Sequence, residues 1–191
     1  MKIFTKMVLT FFLLLNFFAC QSLQKNKLHA SRTIDANGIF SEKQLARFLR
    51  KNNKKIKRKT AKLFARLYIE EARAEKMNSD IAFVQMCLET GFLRFGGLVS
   101  ADMHNYCGLG SIDENNRGLT FPTEADGVRA HIQHLHAYGT TRELTNALID
   151  SRYKYVQPRG KAKTIFDLAS TWASDKNYGE KLDALLTRLE N

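Results

Sequence analysis

Residues 80–90 restrict the fold more than any other segment, because apolar side chains lie on nearly every face of the helix they predict. Asn78 or Ser79 can cap its start, Asp80 places a negative charge in its first turn, and Gly91 ends it. A helix that is apolar on nearly all sides has to be surrounded by other elements. We therefore expect it at the centre of the core. Its apolar members are Ile81, Ala82, Phe83, Val84, Met86, Cys87 and Leu88.

The rest of the chain predicts further helices around this one. Ser41 and Gln44 have the spacing of a capping box, so a helix should begin there. With only 2 prolines and little apolar–polar alternation, the sequence favours a mostly helical domain. Residues 105–121 are rich in Gly, Asn and Asp and predict an irregular lobe, with room for a short hairpin. The other predicted helices span 57–76, 124–138, 141–150, 165–173 and 178–189.

The first residues have the pattern of an export signal. Lys2 and Lys6 precede an apolar run over 7–19 that is too short to span a bilayer comfortably. A small residue followed by Cys20 suits lipoprotein processing, which predicts a signal peptide over 1–19, a lipid on Cys20 and a tether over 20–40. Ordinary secretion, an uncleaved anchor and a chance cysteine stay open. The predicted location is extracytoplasmic, on a membrane anchor.

Positive charge is concentrated in the N-terminal part. Residues 1–77 hold 18 Lys/Arg against 5 Asp/Glu, and the remainder holds 12 against 14. The densest run, 50–59, lies in a basic helical extension over 41–60. Export argues against nucleic acid as its partner. An anionic membrane surface or wall polymer fits better, and a solvated helix face without a partner is the alternative.

Glu89 is the most informative polar residue, because it ends the apolar helix with Gln85 one turn before it. Burial raises the pKa of a carboxyl group, and the negative end of the helix dipole raises it further. Glycosidic cleavage needs such a protonated acid to donate to the leaving oxygen. A glutamate that simply emerges into solvent at the helix end is an equal alternative on local chemistry alone.

Five segments taken in order resemble the glucosaminidase domain of glycoside hydrolase family 73, which includes bacterial autolysins and a muramidase-like domain of a flagellar rod protein. The resemblance covers about 61–189. It implies a lysozyme-like fold of the α+β class that is mainly α-helical, with a small β-containing lobe beside the cleft. The predicted domain spans 41–191. The five segments are 80–97, 105–110, 121–123, 126–131 and 172–178.

The resemblance also assigns roles within the site. Glu89 matches the family's general acid, and Tyr178 matches a tyrosine near the reacting sugar. Asp126 matches an acidic residue with a water-activating role in some members, although most have Glu there. Glu124 is a nearby substitute, and a helix N-terminal charge is the alternative reading for both.

Four further residues are predicted to bind the glycan. Tyr106 and Phe121 match aromatic positions of the family's groove, and Gln85 and Asn105 complete the set. Ordinary packing is the alternative for both aromatic residues. Trp172 is interpreted as a core residue.

No metal or cofactor is predicted. His131 and His134 lie one turn apart, but the sequence offers no third ligand. We interpret His131 as a buried structural residue, and His134 and His136 as surface residues. Cys87 and Cys107 can form a disulfide in an oxidising compartment if the fold brings them together.

These features together predict an exported hydrolase that cuts the β-1,4 bond after N-acetylglucosamine in peptidoglycan. Its partners are peptidoglycan glycan strands and, through the lipid, a membrane; nucleic acid is excluded. Either water activated by Asp126 or the substrate's own 2-acetamido group attacks the sugar. A lytic transglycosylase and a non-catalytic glycan-binding surface lipoprotein are the rival functions.

Overall fold

The computed structural model describes residues 28–191, so the predicted signal peptide and Cys20 lie outside the described residues. The described chain is mainly helical, as predicted. Its five α-helices are α1 (Glu42–Asn52), α2 (Arg58–Ala74), α3 (Ser79–Glu89), α4 (Glu124–Gly139) and α5 (Tyr178–Leu189). Short 3-10 helices occupy Ala101–Met103, Tyr153–Tyr155 and Ile165–Leu168.

Helix α3 lies at the centre of the core, which confirms the interpretation of its apolar pattern. Every residue from Ser79 to Cys87 is buried, and all four other helices contact α3. The side chain of Asn78 caps it by accepting hydrogen bonds from the backbone N–H groups of Asp80 and Ile81. Because the other four helices all pack against α3, the C-terminal end of α3 has a well-determined position.

Residues 28–40 pack on the domain, although they belong to the segment predicted to act as a tether. Ile34 is fully buried, and its backbone N–H donates to the Lys163 carbonyl at 2.9 Å. The carboxylate of Asp80 accepts hydrogen bonds from the backbone N–H groups of Ile39 (2.7 Å) and Phe40 (3.3 Å). The sequence has no pattern that predicts the contacts of Asp80, because its backbone partners lie about forty residues away.

The lobe over 105–121 is an irregular loop, and the described residues contain no β-strand in it. Asn105 organises the loop: its side-chain N–H₂ donates to the carbonyls of Leu109 (2.9 Å) and Leu119 (3.0 Å), and its Oδ1 accepts from the Leu109 N–H. Gly118 has a φ of +113°, and a Cβ there would lie 2.8 Å from the Leu109 carbonyl oxygen. A buried amide thus replaces the strand pairing that the resemblance implied.

Two predicted helices are wrong. Residues 141–150 are irregular, because buried side chains accept hydrogen bonds from their backbone N–H groups. Glu75 accepts from Thr145 and Asn146, and Gln133 accepts from Ile149 and Asp150. Over 165–173 the helix lasts a single 3-10 turn. It ends there because Ala169 has extended backbone, with a ψ of 132°, and Ser170 has a φ of +62°, so both lie outside the right-handed helical region.

Candidate active site

Three side chains from separate elements meet at the C-terminal end of α3. Glu89 is the last residue of α3, Tyr178 is the first residue of α5, and Trp172 lies in the turns between the last 3-10 helix and α5. The Tyr178 hydroxyl donates a short hydrogen bond to Oε1 of Glu89, and the indole Nε1–H of Trp172 donates to the same oxygen at 3.3 Å. Both donors therefore converge on one oxygen of a single carboxyl group.

Glu89 is exposed to a cleft of about 440 Å³. The cleft runs between the α3 end, the irregular lobe and the turns before α5. Phe95 and Trp172 are half-buried aromatic residues in its wall, and such rings can pack against the apolar faces of sugars. The other lining residues are Thr90, Gly91, Gly97, Leu98, Val99, Asn105, Cys107, Gly108, Ser111, Ala173 and Tyr178.

The surroundings of the carboxyl group favour its protonated form. Desolvation by the surrounding protein raises the pKa of Glu89, and the hydrogen bonds from Tyr178 and Trp172 offset this only in part. Burial and the nearby Glu89 carboxylate raise the pKa of Tyr178 well above its usual value, so its phenol keeps the proton it donates. The arrangement is a carboxyl group that is open to a groove and held by two neutral hydrogen-bond donors.

The loop after Glu89 carries strained backbone and is held by the basic extension. Phe92, Leu93 and Phe95 all have φ values near +60°, in the left-handed region that non-glycine residues rarely adopt. Asn53, which follows α1, donates from its side chain to the Phe92 carbonyl at 2.9 Å. The guanidinium of Arg94 donates to the Asn52 carbonyl at 2.8 Å. The extension therefore holds one wall of the cleft.

Comparisons with known proteins show the family to which the chain belongs. A glucosaminidase family model, described as mannosyl-glycoprotein endo-β-N-acetylglucosaminidase, matches residues 65–191. The chain belongs to the glucosaminidase family. The family match covers α3 to α5, most of α2 and the whole cleft, while α1 lies outside it.

A curated relative and a solved structure extend the comparison. An uncharacterized protein of Borreliella burgdorferi is 37% identical over 154 residues, which cover 81% of this chain and 75% of the relative. The crystal structure of S. aureus autolysin E in complex with a muropeptide aligns with a TM-score of 0.50 over 83% of this chain and 70% of that chain. At 13% identity that likeness shows the fold, which confirms the lysozyme-like glucosaminidase architecture.

Gln85 lies behind the cleft surface, whereas Asn105 lies in the cleft wall. Gln85 is fully buried, and its Nε2 donates to the Tyr178 hydroxyl at 3.0 Å. Asn105 is 1% exposed and uses its amide to hold the lobe together. Both residues therefore support the cleft walls, and their contact with glycan stays a prediction.

Replacing Asn105 with alanine should destabilise the lobe by about 2–3 kcal/mol, because it leaves buried backbone groups of Leu109 and Leu119 without partners. Thermal unfolding of the purified protein measures the loss. Asn115→Ala in the same lobe is the matched control, since Asn115 is exposed. Equal unfolding temperatures for the two variants would show that the Asn105 amide does not hold the lobe.

Tyr106, Phe121 and Asp126 do not line the cleft that Glu89 faces. Tyr106 is 2% exposed and meets the Phe64 ring edge-on at 4.9 Å, so it is a core residue. Phe121 and Asp126 line a separate depression of about 320 Å³. The Asp126 carboxylate accepts a hydrogen bond from the Thr123 hydroxyl at 2.7 Å, in the first turn of α4. This is the helix N-terminal environment that was the alternative reading of Asp126.

The three histidines point to different partners. His131 is fully buried between Gln85 and Tyr68. His134 pairs with Asp150 at 2.7 Å. His136 is also fully buried, which corrects the prediction that it is a surface residue; its Nδ1 lies 3.0 Å from the Tyr153 hydroxyl. Cys87 and Cys107 are buried, unpaired thiols. Burial raises the pKa of both thiols, so they remain protonated.

Trp172 is a residue of the Glu89 site that the sequence did not predict. It was interpreted as core, and its ring does pack beside His131, His134 and Tyr138. Its indole N–H nevertheless donates to Glu89. The available signal was that the only tryptophan of the chain lies close in sequence to a motif tyrosine.

Proposed function

We propose that this chain is an exported peptidoglycan hydrolase that cuts the β-1,4 bond after N-acetylglucosamine, with Glu89 as general acid. The observation that carries the proposal is the cleft-facing Glu89 carboxyl, whose Oε1 accepts two hydrogen bonds and whose pKa is raised by desolvation. Because both donors occupy Oε1, the acidic proton resides on Oε2. It is then free to pass to the departing glycosidic oxygen.

Tyr178 and Trp172 also support the second half of this proton transfer. Once Glu89 has lost its proton, the two donors face a carboxylate, and hydrogen bonds to charged acceptors are stronger than those to neutral ones. The negative carboxylate is thereby stabilised without a change in geometry. When water is then consumed, the Glu89 carboxylate accepts a proton from that water and regains its acidic form.

The cleft lining favours attack by the substrate's own acetamido group. Among the described residues that line the cleft, Glu89 supplies the single carboxyl group. An inverting mechanism would need a second carboxylate across a water-sized gap from the first. The 2-acetamido oxygen of N-acetylglucosamine can instead relieve the positive charge that grows on the sugar carbon.

Changing Asp126 to asparagine should leave cleavage of purified sacculi nearly intact, well short of the roughly 10²-fold loss that removal of a general base causes. The carboxylate lines a different depression, so we expect only a capping cost of about 0.3–1 kcal/mol. Glu124→Gln, in the same helical turn, tests the other candidate base in the same assay, and Glu114→Gln at an exposed position is the control. A 10²-fold loss in D126N alone would restore the water-activating role.

Peptidoglycan is the proposed substrate for two reasons. The chain has the fold of an autolysin that was solved with a muropeptide bound. The description of its family also names an endo-β-N-acetylglucosaminidase, and N-acetylglucosamine is a sugar of peptidoglycan strands. A digest of purified sacculi, with a mannosylated glycoprotein as the comparison substrate, tests the assignment. Soluble muropeptides with N-acetylglucosamine at the reducing end are the expected product.

A lytic transglycosylase is the second candidate, because a cleft with one carboxyl group also satisfies that reaction. Mass spectrometry of the same digest separates the two: 1,6-anhydromuramic ends indicate the transglycosylase, and reducing ends indicate the hydrolase. Binding without any cleavage would indicate the non-catalytic lipoprotein instead.

Export and anchoring rest on the N-terminal sequence. Lys2, Lys6, the apolar run and Cys20 support a lipidated protein held at a membrane outside the cytoplasm. Over residues 28–191 we find no helix with the length and apolarity needed to cross a bilayer. Labelling with a radioactive fatty acid should mark the wild-type chain and leave Cys20→Ala unlabelled. Equal labelling of both would exclude Cys20 as the acceptor.

A further inference from the structure

A chain of four hydrogen bonds runs from the protein core to the catalytic carboxyl group. It begins at the Tyr68 hydroxyl, 2.8 Å from His131 Nδ1. His131 Nε2 lies 3.0 Å from Gln85 Oε1, and Gln85 Nε2 lies 3.0 Å from the Tyr178 hydroxyl. The Tyr178 hydroxyl then contacts Glu89 Oε1. Three of the side chains, those of Tyr68, Gln85 and His131, are fully buried.

The chemistry of the members sets one direction for the whole chain. The amide nitrogen of Gln85 can only donate, so the Tyr178 oxygen accepts from it and the phenolic proton goes to Glu89. The amide oxygen of Gln85 can only accept, so His131 must carry its proton on Nε2. Nδ1 of His131 is then an acceptor, and Tyr68 donates to it. Every donor therefore points towards Glu89.

We propose that His131 is a positioning residue for the reaction: its Nε2–H fixes the amide orientation of Gln85, which keeps the Tyr178 hydroxyl directed at Oε1 of Glu89 and leaves the acidic proton on Oε2. The inference rests on the proposed role of Glu89 as general acid. His131 does not contact substrate in this proposal, because it is fully buried behind Gln85.

The opposite orientation shows what His131 prevents. If Gln85 turned over, its carbonyl oxygen would face Tyr178, and the phenol could donate to Gln85 instead of Glu89. The Glu89 carboxylate would lose its closest donor, and the acidic proton could settle on Oε1, directed into the protein. Because Gln85 has no solvent to reorganise around it, a single neighbouring N–H decides between the two orientations.

The pH dependence should come from Glu89 and not from His131. The titratable groups that face Glu89 are Tyr178 and Cys107, and those that face His131 are Tyr68 and His134. Burial, assisted by His134, lowers the pKa of His131 to about 3, so the ring stays neutral near pH 7. The hydrogen bond from Tyr178 lowers the pKa of Glu89, so its loss moves the alkaline limb of the rate profile to higher pH.

The first test is made on the wild-type protein and needs no activity. ¹⁵N chemical shifts of the His131 ring distinguish the two neutral tautomers. We expect the proton on Nε2. A proton on Nδ1 would overturn the proposal, because Gln85 would then have to present its amide nitrogen to the ring.

The second test is kinetic. His131→Leu should lower kcat on glycan by roughly 10- to 100-fold, shift the alkaline limb of kcat/KM to higher pH and leave KM nearly unchanged. His131→Gln, which can still donate to Gln85, should lie nearer to the wild type. The matched control is His136→Leu, since His136 is equally buried on the same helix and has its own tyrosine partner. It should lose stability without moving the alkaline limb.

A folded His131→Leu variant with the wild-type pH profile would overturn the proposal, and so would the same limb shift in His136→Leu. If His131→Leu does not fold, the tautomer measurement decides. Failure of the proposed function looks different: wild-type protein with the Nε2–H tautomer would then release no fragments from sacculi.

Discussion

Glu89→Gln should lower the rate of glycan cleavage by about 10²- to 10⁴-fold or more, while the variant keeps its fold. Glutamine preserves the side-chain length, and its carbonyl oxygen can still accept from Tyr178 and Trp172. What the variant lacks is a proton that can pass to the leaving sugar oxygen. The rate of muropeptide release from purified sacculi measures the loss.

The control for this variant is Glu114→Gln, the same chemical change at an exposed position of the lobe. It should release muropeptides at the wild-type rate. If Glu89→Gln retains a tenth or more of the activity, a far smaller loss than removal of a general acid causes, Glu89 is not the acid.

The same substitution should also make the protein more stable near neutral pH. A folded-state pKa raised by desolvation means that ionising Glu89 costs free energy of folding, and this cost grows as pH rises from the ordinary glutamate value towards the raised one. Glutamine never ionises and avoids that cost. Since solvent in the cleft screens the carboxylate, we expect a gain of only about 2 °C in Tm.

Thermal unfolding at two pH values checks the sign of this effect. The gain should be present at pH 7 and disappear below about pH 4, where the wild-type carboxyl group is protonated in both the folded and unfolded states. A Glu89→Gln variant that is less stable than the wild type at pH 7 would show that the site does not disfavour the charged carboxylate.

Gly127→Ala should be the most destabilising small substitution in the domain. A Cβ at Gly127 would lie 1.7 Å from the His104 carbonyl oxygen and 2.9 Å from the Tyr106 ring. These neighbours are backbone and a buried aromatic, so neither can move without displacing the lobe from α4. We expect a loss of about 3 kcal/mol, or about 6–12 °C in Tm.

Calorimetry of the purified protein tests this prediction. Gly97→Ala is the matched control for stability, because a Cβ there meets nothing within 4 Å. It should unfold within about 1 °C of the wild type, as expected for a surface change. Equal unfolding temperatures for the two variants would mean that the lobe does not depend on its close approach to α4. Because the lobe supplies Asn105 and Cys107 to the cleft, Gly127→Ala should also slow glycan cleavage.

Elements whose signals lie close together in the chain were predictable. The capping box of Ser41 and Gln44 begins α1 as expected, and the apolar pattern of 80–90 identifies α3 as the buried centre. Tyr178 begins the last helix, also as predicted. Each of these signals depends on neighbours within one or two turns, so sequence spacing alone carries the information.

Elements stabilised by distant partners were not predictable in the same way. Residues 141–150 have a helical pattern, but Glu75, directly after α2, and Gln133 of α4 accept hydrogen bonds from their N–H groups. Asn105 was interpreted as a glycan ligand, and only its buried contacts with Leu109 and Leu119 show it to be a support of the lobe. In both cases a side chain competes with local structure from outside the segment.

The chemistry at the end of α3 shows the same division. Sequence alone determined that a glutamate ends an apolar helix and that a tyrosine follows at a matching motif, because both facts depend on local pattern and resemblance. Only the tertiary structure decided that Tyr178 and Trp172 share one oxygen of Glu89, and that Gln85 and His131 stand behind them. Hydrogen-bond direction depends on which groups meet in space, and residues about ninety positions apart carry no local signal of that meeting.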